Sequence, residues 1–526
     1  MDKLPPELLH AILWQNVLLG PKSHVLQLRF VCTAFDRILK PYACRTLGLD
    51  FTRLSKLSPW RRPRFDALQT IGYNCTSLYI DMMVLRDDDE IDYLDNIFAS
   101  IPNICQFFPR VRTKYCLSDV SLTEMDFYEA LDTILFNCRG IKGLRLNLPF
   151  QLVGRHTKPA TMILANTLKA FRHRPIQGSS HLRSMVLENL TDETAYNLWM
   201  NPCDVSNFYL VLEYLENLVI SLRHHDYTAI AFGTWVWCVI SNARRLQTLC
   251  LLDSNHKSRR VRGLKQTKYG QMPRDEWRRR SLPAPVVHSF PCDLTCLELT
   301  GFNMHGTDII QILDAVSGSL QELYLRDIYL KLEQSQEWNS DCTKVLWIGL
   351  PNQIPCSESI WIAVLLRRMM TSLRVCRASN LAYDHYIADD SISVSSRTMP
   401  ADMSDPCCRA RNLSQRFVEV VTGVLQPKAP SGEAVEYFHH KLGKVTDMGQ
   451  DVNPDGVLLA IDFDVDAYQV AVANTTSQWL RSIEGLFDDG NPSSLQELHQ
   501  IANVACLGMN ELQRTSPNAT GDDNAN

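Results

Sequence analysis

The chain has 526 residues, 45% of them hydrophobic and 21% charged, with 53 Lys and Arg against 58 Asp and Glu and a net charge of −5. Wholesale disorder is excluded by that balance, and 23 Gly and 25 Pro exclude a collagen-like or low-complexity chain. So small a net charge argues against a dedicated nucleic-acid coat or a polycationic membrane binder. The start, Met-Asp-Lys-Leu-Pro-Pro-Glu, has no basic stretch followed by an apolar one. With no such leader, the 17 cysteines, an odd number, are expected as free thiols in a reducing compartment. The longest apolar stretch, Ala229 to Ile240, is too short to span a bilayer. A soluble intracellular protein, cytoplasmic or nuclear and without membrane contact, is expected.

Residues 4 to 47 carry the first pattern. Leu4-Pro5-Pro6-Glu7 reads as a helix start, since Pro fits the first turn and Glu suits the positive helix end. Leu8, Leu9, Ile12 and Leu13 then form one apolar face. Gly20-Pro21 breaks the chain, and Val25, Leu28, Val31 and Cys32 form a second apolar set. Thr33 is placed to cap a third helix carrying Phe35, Ile38 and Leu39, ending near Pro41. Three short helices bury little surface by themselves, so this module is expected to lean on a neighbour or a partner. In order and spacing it resembles the F-box family: Leu4-Pro5, then Glu7-Leu8-Leu9-His10-Ala11-Ile12-Leu13, then Leu28-Arg29-Phe30-Val31-Cys32, then Phe35 and Pro41. It departs from the family where Trp14, Gln15 and Asn16 follow the first helix. The resemblance implies a docking surface for a Skp-family adaptor drawn from Leu4, Pro5, Leu8, Leu9, Ile12, Leu13, Leu28 and Val31.

Downstream, one pattern recurs: an apolar residue, two others, an apolar residue, one other, an apolar residue. It appears at Ile141 to Leu146, Leu182 to Leu187, Leu215 to Ile220, Leu246 to Leu251, Leu294 to Leu299 and Leu320 to Leu325. Cys75 to Ile80 and Leu373 to Ala378 follow it less closely. The alternating tail of each unit predicts a short strand, and another apolar residue often follows at Leu190, Phe302, Ile328 and Leu381. Helices are predicted between strands, as at Met125 to Asn137 and from Thr307 to Val316. Residues 65 to 385 thus resemble an irregular leucine-rich-repeat solenoid of α/β class.

A polar, basic insert, residues 254 to 292, interrupts the array. Between Lys257 and Arg280 ten basic residues face two acidic ones, and seven of the ten are Arg. Arg278, Arg279 and Arg280 are candidate contacts to an acidic or phosphorylated target. Aromatic platforms are sparse there, which makes nucleic acid a poor fit. Residues 387 to 412 read as a linker and 413 to 514 as a mixed, mainly helical C-terminal region, with a frayed polar tail at 515 to 526.

Catalytic signatures are lacking. There is no Gly-rich phosphate loop and no nucleophile elbow. The pairs His224-His225 and His439-His440 lack metal-ligand spacing, and Cys292, Cys296, Cys407 and Cys408 make no zinc set. Asp462, Asp464 and Asp466 end an apolar run as in haloacid-dehalogenase-like phosphatases, but too little chain follows for such a domain. No cofactor and no metal are expected. An F-box followed by repeats resembles the substrate receptors of SCF-type cullin–RING ubiquitin ligases. That resemblance implies a non-catalytic subunit whose N-terminal module holds the adaptor, and through it a cullin–RING assembly, while the repeats hold an unknown protein target. A repeat scaffold acting outside ubiquitination and an enzyme using the C-terminal acidic segment are the alternatives.

Overall fold

In the computed structural model, the residues described are 5–19, 22–56, 64–82, 122–149, 158–174, 181–223, 229–253, 282, 294–331, 345–347, 360–379, 381–384 and 413–421. The chain divides into two units, the first built on Met1–Asn189 and Met200–Val211, the second on Leu190–Trp199 and Leu212–Gln478.

The first unit opens with three helices, α1 (Pro6–Leu19), α2 (Lys22–Leu28) and α3 (Thr33–Ala43). Pro6 occupies the first helical position and Glu7 the first turn, as the sequence predicts. Leu13, Val17, Val25, Phe35, Leu39 and Ala43 close a small core among the three helices. Two details differ from expectation. Cys32, not Thr33, is the N-cap of α3, with extended backbone and no side-chain bond to the helix. Pro41 lies inside α3, which runs on to Ala43. Proline sacrifices one backbone bond there, but buried Leu39 and Ala43 hold the last turn, and the Cys44 N–H returns to the Lys40 carbonyl at 3.0 Å.

Four parallel strands follow: β1 (Thr46–Asp50), β2 (Ser77–Asp81), β3 (Gly143–Asn147) and β4 (Ser184–Thr191). The register aligns Leu47, Leu78, Leu144 and Met185, and two residues on Leu49, Ile80, Leu146 and Leu187. Strand β1 is not anticipated by the sequence reading. Short helices α4 (Phe51–Leu54) and α5 (Phe65–Ile71), then the longer α6 (Glu124–Asn137) and α7 (Lys158–His173), connect the strands. In α6 the spacing of Phe127, Ala130, Leu131, Ile134 and Leu135 buries one face, and α7 packs beside it. Its start is fixed by a reciprocal cap, in which the Asp126 N–H donates to the Thr123 hydroxyl and the Thr123 N–H to the Asp126 carboxylate.

The second unit contains α8 (Asp192–Trp199) and, after α9 (Pro202–Leu212) of the first, five more strands in one parallel ladder. These are β5 (Asn217–Arg223), β6 (Thr248–Asp253), β7 (Cys296–Thr300), β9 (Glu322–Arg326) and β13 (Val375–Ser379). Leu218, Leu249, Leu297, Leu323 and Cys376 stand in line, all fully buried. The residues that open the pattern, Leu215, Leu246, Leu294, Leu320 and Leu373, are buried too. Helices α10 (Ala229–Asn242), α11 (Gly306–Ala315) and α12 (Ile362–Met369) lie between strands. The trailing apolar positions Phe302, Ile328 and Leu381 lead into a second parallel sheet of β8 (Asn303–His305), β10 (Tyr329–Lys331) and β14 (Ala382–Asp384). A short pair, β11 (Val345–Leu346) with β12 (Ile360–Trp361), completes the strands.

One backbone device repeats in both ladders. The carbonyl just before seven of the ladder strands accepts two successive N–H groups from the next turn, at 2.7–3.1 Å. Arg45, Thr76 and Lys142 do so in the first unit, and Glu216, Gln247, Thr295 and Gln321 in the second. A second device is the left-handed residue four places after the aligned apolar residue, at Asn189 (φ 58), Gly301 (φ 88) and Asp327 (φ 54). Asn, Gly and Asp are the residues that tolerate this conformation at least cost. The described part ends with α13 (Leu413–Val421), which the sequence reading assigns to a separate C-terminal region. It packs on α12 and β13: Phe417 meets Trp347 edge-on at 5.3 Å, and the Leu381 N–H donates to the Ser414 hydroxyl at 2.9 Å.

Among the described residues no helix is long and apolar enough to cross a membrane, and the cysteines are free thiols.

Candidate functional site

The N-terminal module holds the first candidate surface. Helix α1 divides the apolar set that the sequence presents as one face. Leu13 is buried, Leu9 half-buried against the same core, while Leu8 and Ile12, one turn apart, are 54% and 49% exposed. The tight turn between α2 and α3 adds Phe30 at 89% and Val31 at 63%. This turn is held in place: the N–H groups of Phe30 and Val31 return to the Gln27 and Leu28 carbonyls, and the Arg29 guanidinium reaches Asp36 of α3 at 2.8 Å. Four large apolar side chains of this module therefore stand in water.

Of the adaptor-contact residues expected from the sequence, Pro5, Leu8, Ile12 and Val31 are exposed. Leu9, Leu13 and Leu28 instead pack into or against the core of the module, so their part is to hold the helices. Leu4 lies outside the described residues. Phe30, the most exposed of the set, was not among the expected contacts. Its position between Leu28 and Val31 in a helix–turn–helix was the available signal.

The alternate face of the ladders is the second candidate. With aligned leucines turned into the core, the intervening residues share the opposite face. In the first unit that face is a linked polar chain. Arg145 donates twice to Glu188, at 2.8 and 2.9 Å, and its guanidinium lies 4.6 Å from the Tyr79 ring centroid. The Tyr79 hydroxyl and the Asn147 amide donate to the two oxygens of Asp81, both at 3.2 Å, and Asn189 donates to Asn147 at 2.7 Å. Burial, with the neighbouring Asp81 charge, pushes the Tyr79 phenol well above its ordinary range. Burial alone would lower Arg145, but the Glu188 carboxylate outweighs it and keeps the guanidinium charged.

The same face of the second unit is wired differently. Glu298 accepts from the Cys250 thiol at 3.5 Å and the Thr300 hydroxyl at 3.4 Å, while Tyr324 donates to Glu322 at 2.9 Å. Burial and the nearby carboxylates push the thiols of Cys250 and Cys296 upward. Thiols held protonated in this way are poor nucleophiles and poor metal ligands. No metal-binding group of His, Cys, Asp and Glu occurs among the described residues.

The expected target contacts Arg278, Arg279 and Arg280 lie outside the described residues, as do Asp462, Asp464 and Asp466. No family model matches the chain, and no curated protein matches it. Among solved structures it is similar to an internalin from Listeria monocytogenes, 15% identical, over 61% of this chain and 65% of that one, with a TM-score of 0.21. The chain thus spans just under two thirds of that structure's length.

Proposed function

We propose that the protein is a non-catalytic recognition subunit of an SCF-type ubiquitin ligase. Its N-terminal module docks a Skp-family adaptor, and the polar faces of its ladders hold the protein destined for modification. The observation that carries the reading is the division of α1: the module completes its own core with Leu13 and Val17 and still leaves Leu8, Ile12, Phe30 and Val31 exposed. Such a subunit works by proximity, holding target lysines near the conjugating enzyme at high effective concentration. The sequence supports the same reading through the F-box resemblance of residues 4 to 41.

The test is co-purification of the full chain with a Skp-family adaptor. Replacing Leu8, Ile12 and Val31 together by Ala removes exposed side chains only, so the ladders stay folded and adaptor recovery is lost. Undiminished recovery in that folded variant would rule the reading out.

A further inference from the structure

The exposed stripe of α1 is useful to a partner only if the helix is held at a fixed roll about its axis. The core residues Leu9, Leu13 and Val17 grip one side. On a 3.6-residue helix Leu8 and Ile12 lie on the open side, and His10 and Trp14 fall on the flank facing away from them. On that flank lies Tyr42 of α3. The Tyr42 ring lies 4.8 Å from the Trp14 ring, tilted at 53°, and meets the His10 ring edge-on at 6.0 Å. The Tyr42 hydroxyl and His10 Nε2 are 3.1 Å apart, within hydrogen-bond distance. Trp14 and Tyr42 both pack against the module core.

We infer that Tyr42 is a positioning residue for the docking surface: through His10 and Trp14 it sets the roll of α1 and so the direction in which Leu8 and Ile12 face the partner. This rests on the adaptor-docking reading above. Tyr42 itself makes no contact with the partner in this account. Loss of its ring lets α1 turn about its axis and moves two anchor residues together.

The experiment measures the affinity of the full chain for a purified Skp-family adaptor by calorimetry, together with the unfolding midpoint, for the wild type and for Tyr42→Ala, Tyr42→Phe, Leu8→Ala and the pair Tyr42→Ala with Leu8→Ala. Tyr42→Ala is expected to weaken binding about tenfold. Tyr42→Phe, which keeps the ring contacts, should stay within about twofold of wild type. Because Tyr42 acts through α1, the two alanine changes should be non-additive, Leu8→Ala costing less once Tyr42 is gone. Additive effects, or wild-type affinity in a folded Tyr42→Ala variant, would overturn the inference while leaving the docking reading intact. If Tyr42→Ala does not fold, His10→Ala replaces it, with the same non-additivity expected. A wild-type chain that does not bind the adaptor at all would overturn both.

Discussion

The ladders and the N-terminal module solve the burial problem in opposite ways. Along the ladders each aligned apolar row is sealed by the next turn, as in Leu218, Leu249, Leu297 and Leu323, none of which touches solvent. The module seals six residues and leaves Leu8, Ile12, Phe30 and Val31 exposed. A repeat array can close its core with its own neighbours, whereas a three-helix module of about forty residues has too little interior to hide every apolar residue. In the function proposed above, ladder leucines carry stability, and the module's exposed leucine and isoleucine carry association.

Breaking a ladder row should give the largest effect. Leu297→Ala opens a cavity in the middle of the second ladder and should cost about 2–5 kcal/mol, read as a lowered urea midpoint with adaptor binding retained. Next is Arg145→Ala, which strands Glu188 on the first polar face and should cost about 3 kcal/mol. If Arg145→Ala is neutral, the pair of Arg145 with Glu188 does not stabilise the polar face. Smaller again is the cap of α6: Thr123→Ala should cost about 1 kcal/mol.

The same cap has a pH signature. Hydrogen bonds from Lys56 and Thr123 lower the Asp126 carboxyl to about 2. A carboxylate depressed on folding stabilises the fold above its unfolded pKa of about 3.9 and loses that contribution as pH falls through its folded value. The midpoint should therefore fall between about pH 4 and pH 2 less steeply in Asp126→Asn than in the wild type. Since Asp126 is more than a third exposed, this is a modest effect that salt should weaken. Least of all should be the stability change of Leu8→Ala with Ile12→Ala, within about 0.5 kcal/mol, because both side chains already face water.

Much of the ladder was legible because its signal is periodic. All eight recurring segments form strands, including Cys75 to Ile80 and Leu373 to Ala378, which follow the pattern least well. Strand β1 escaped because its first residues were assigned to the helical module of residues 4 to 47, although Cys44, Leu47 and Leu49 repeat the spacing of Cys75, Leu78 and Ile80 and Cys44 is buried as Cys75 is. The second sheet escaped because its strands are three residues long, below the length at which alternation can be seen. In the module the sequence placed the helices but merged two stripes of α1, since Leu8, Leu9, Ile12 and Leu13 read as one face until the core is assembled. The site chemistry was least legible. Arg145 and Glu188 lie 43 residues apart, and His10 and Tyr42 lie 32 apart, distances at which pairing follows from the fold and not from local spacing.

The division of labour is tested most directly by hydrogen exchange on the full chain with and without a purified Skp-family adaptor. The account predicts new protection confined to α1 and to the turn around Phe30 and Val31, with the ladder strands unchanged. Protection on the ladders alone, or none at the module in a chain that binds the adaptor, would contradict it.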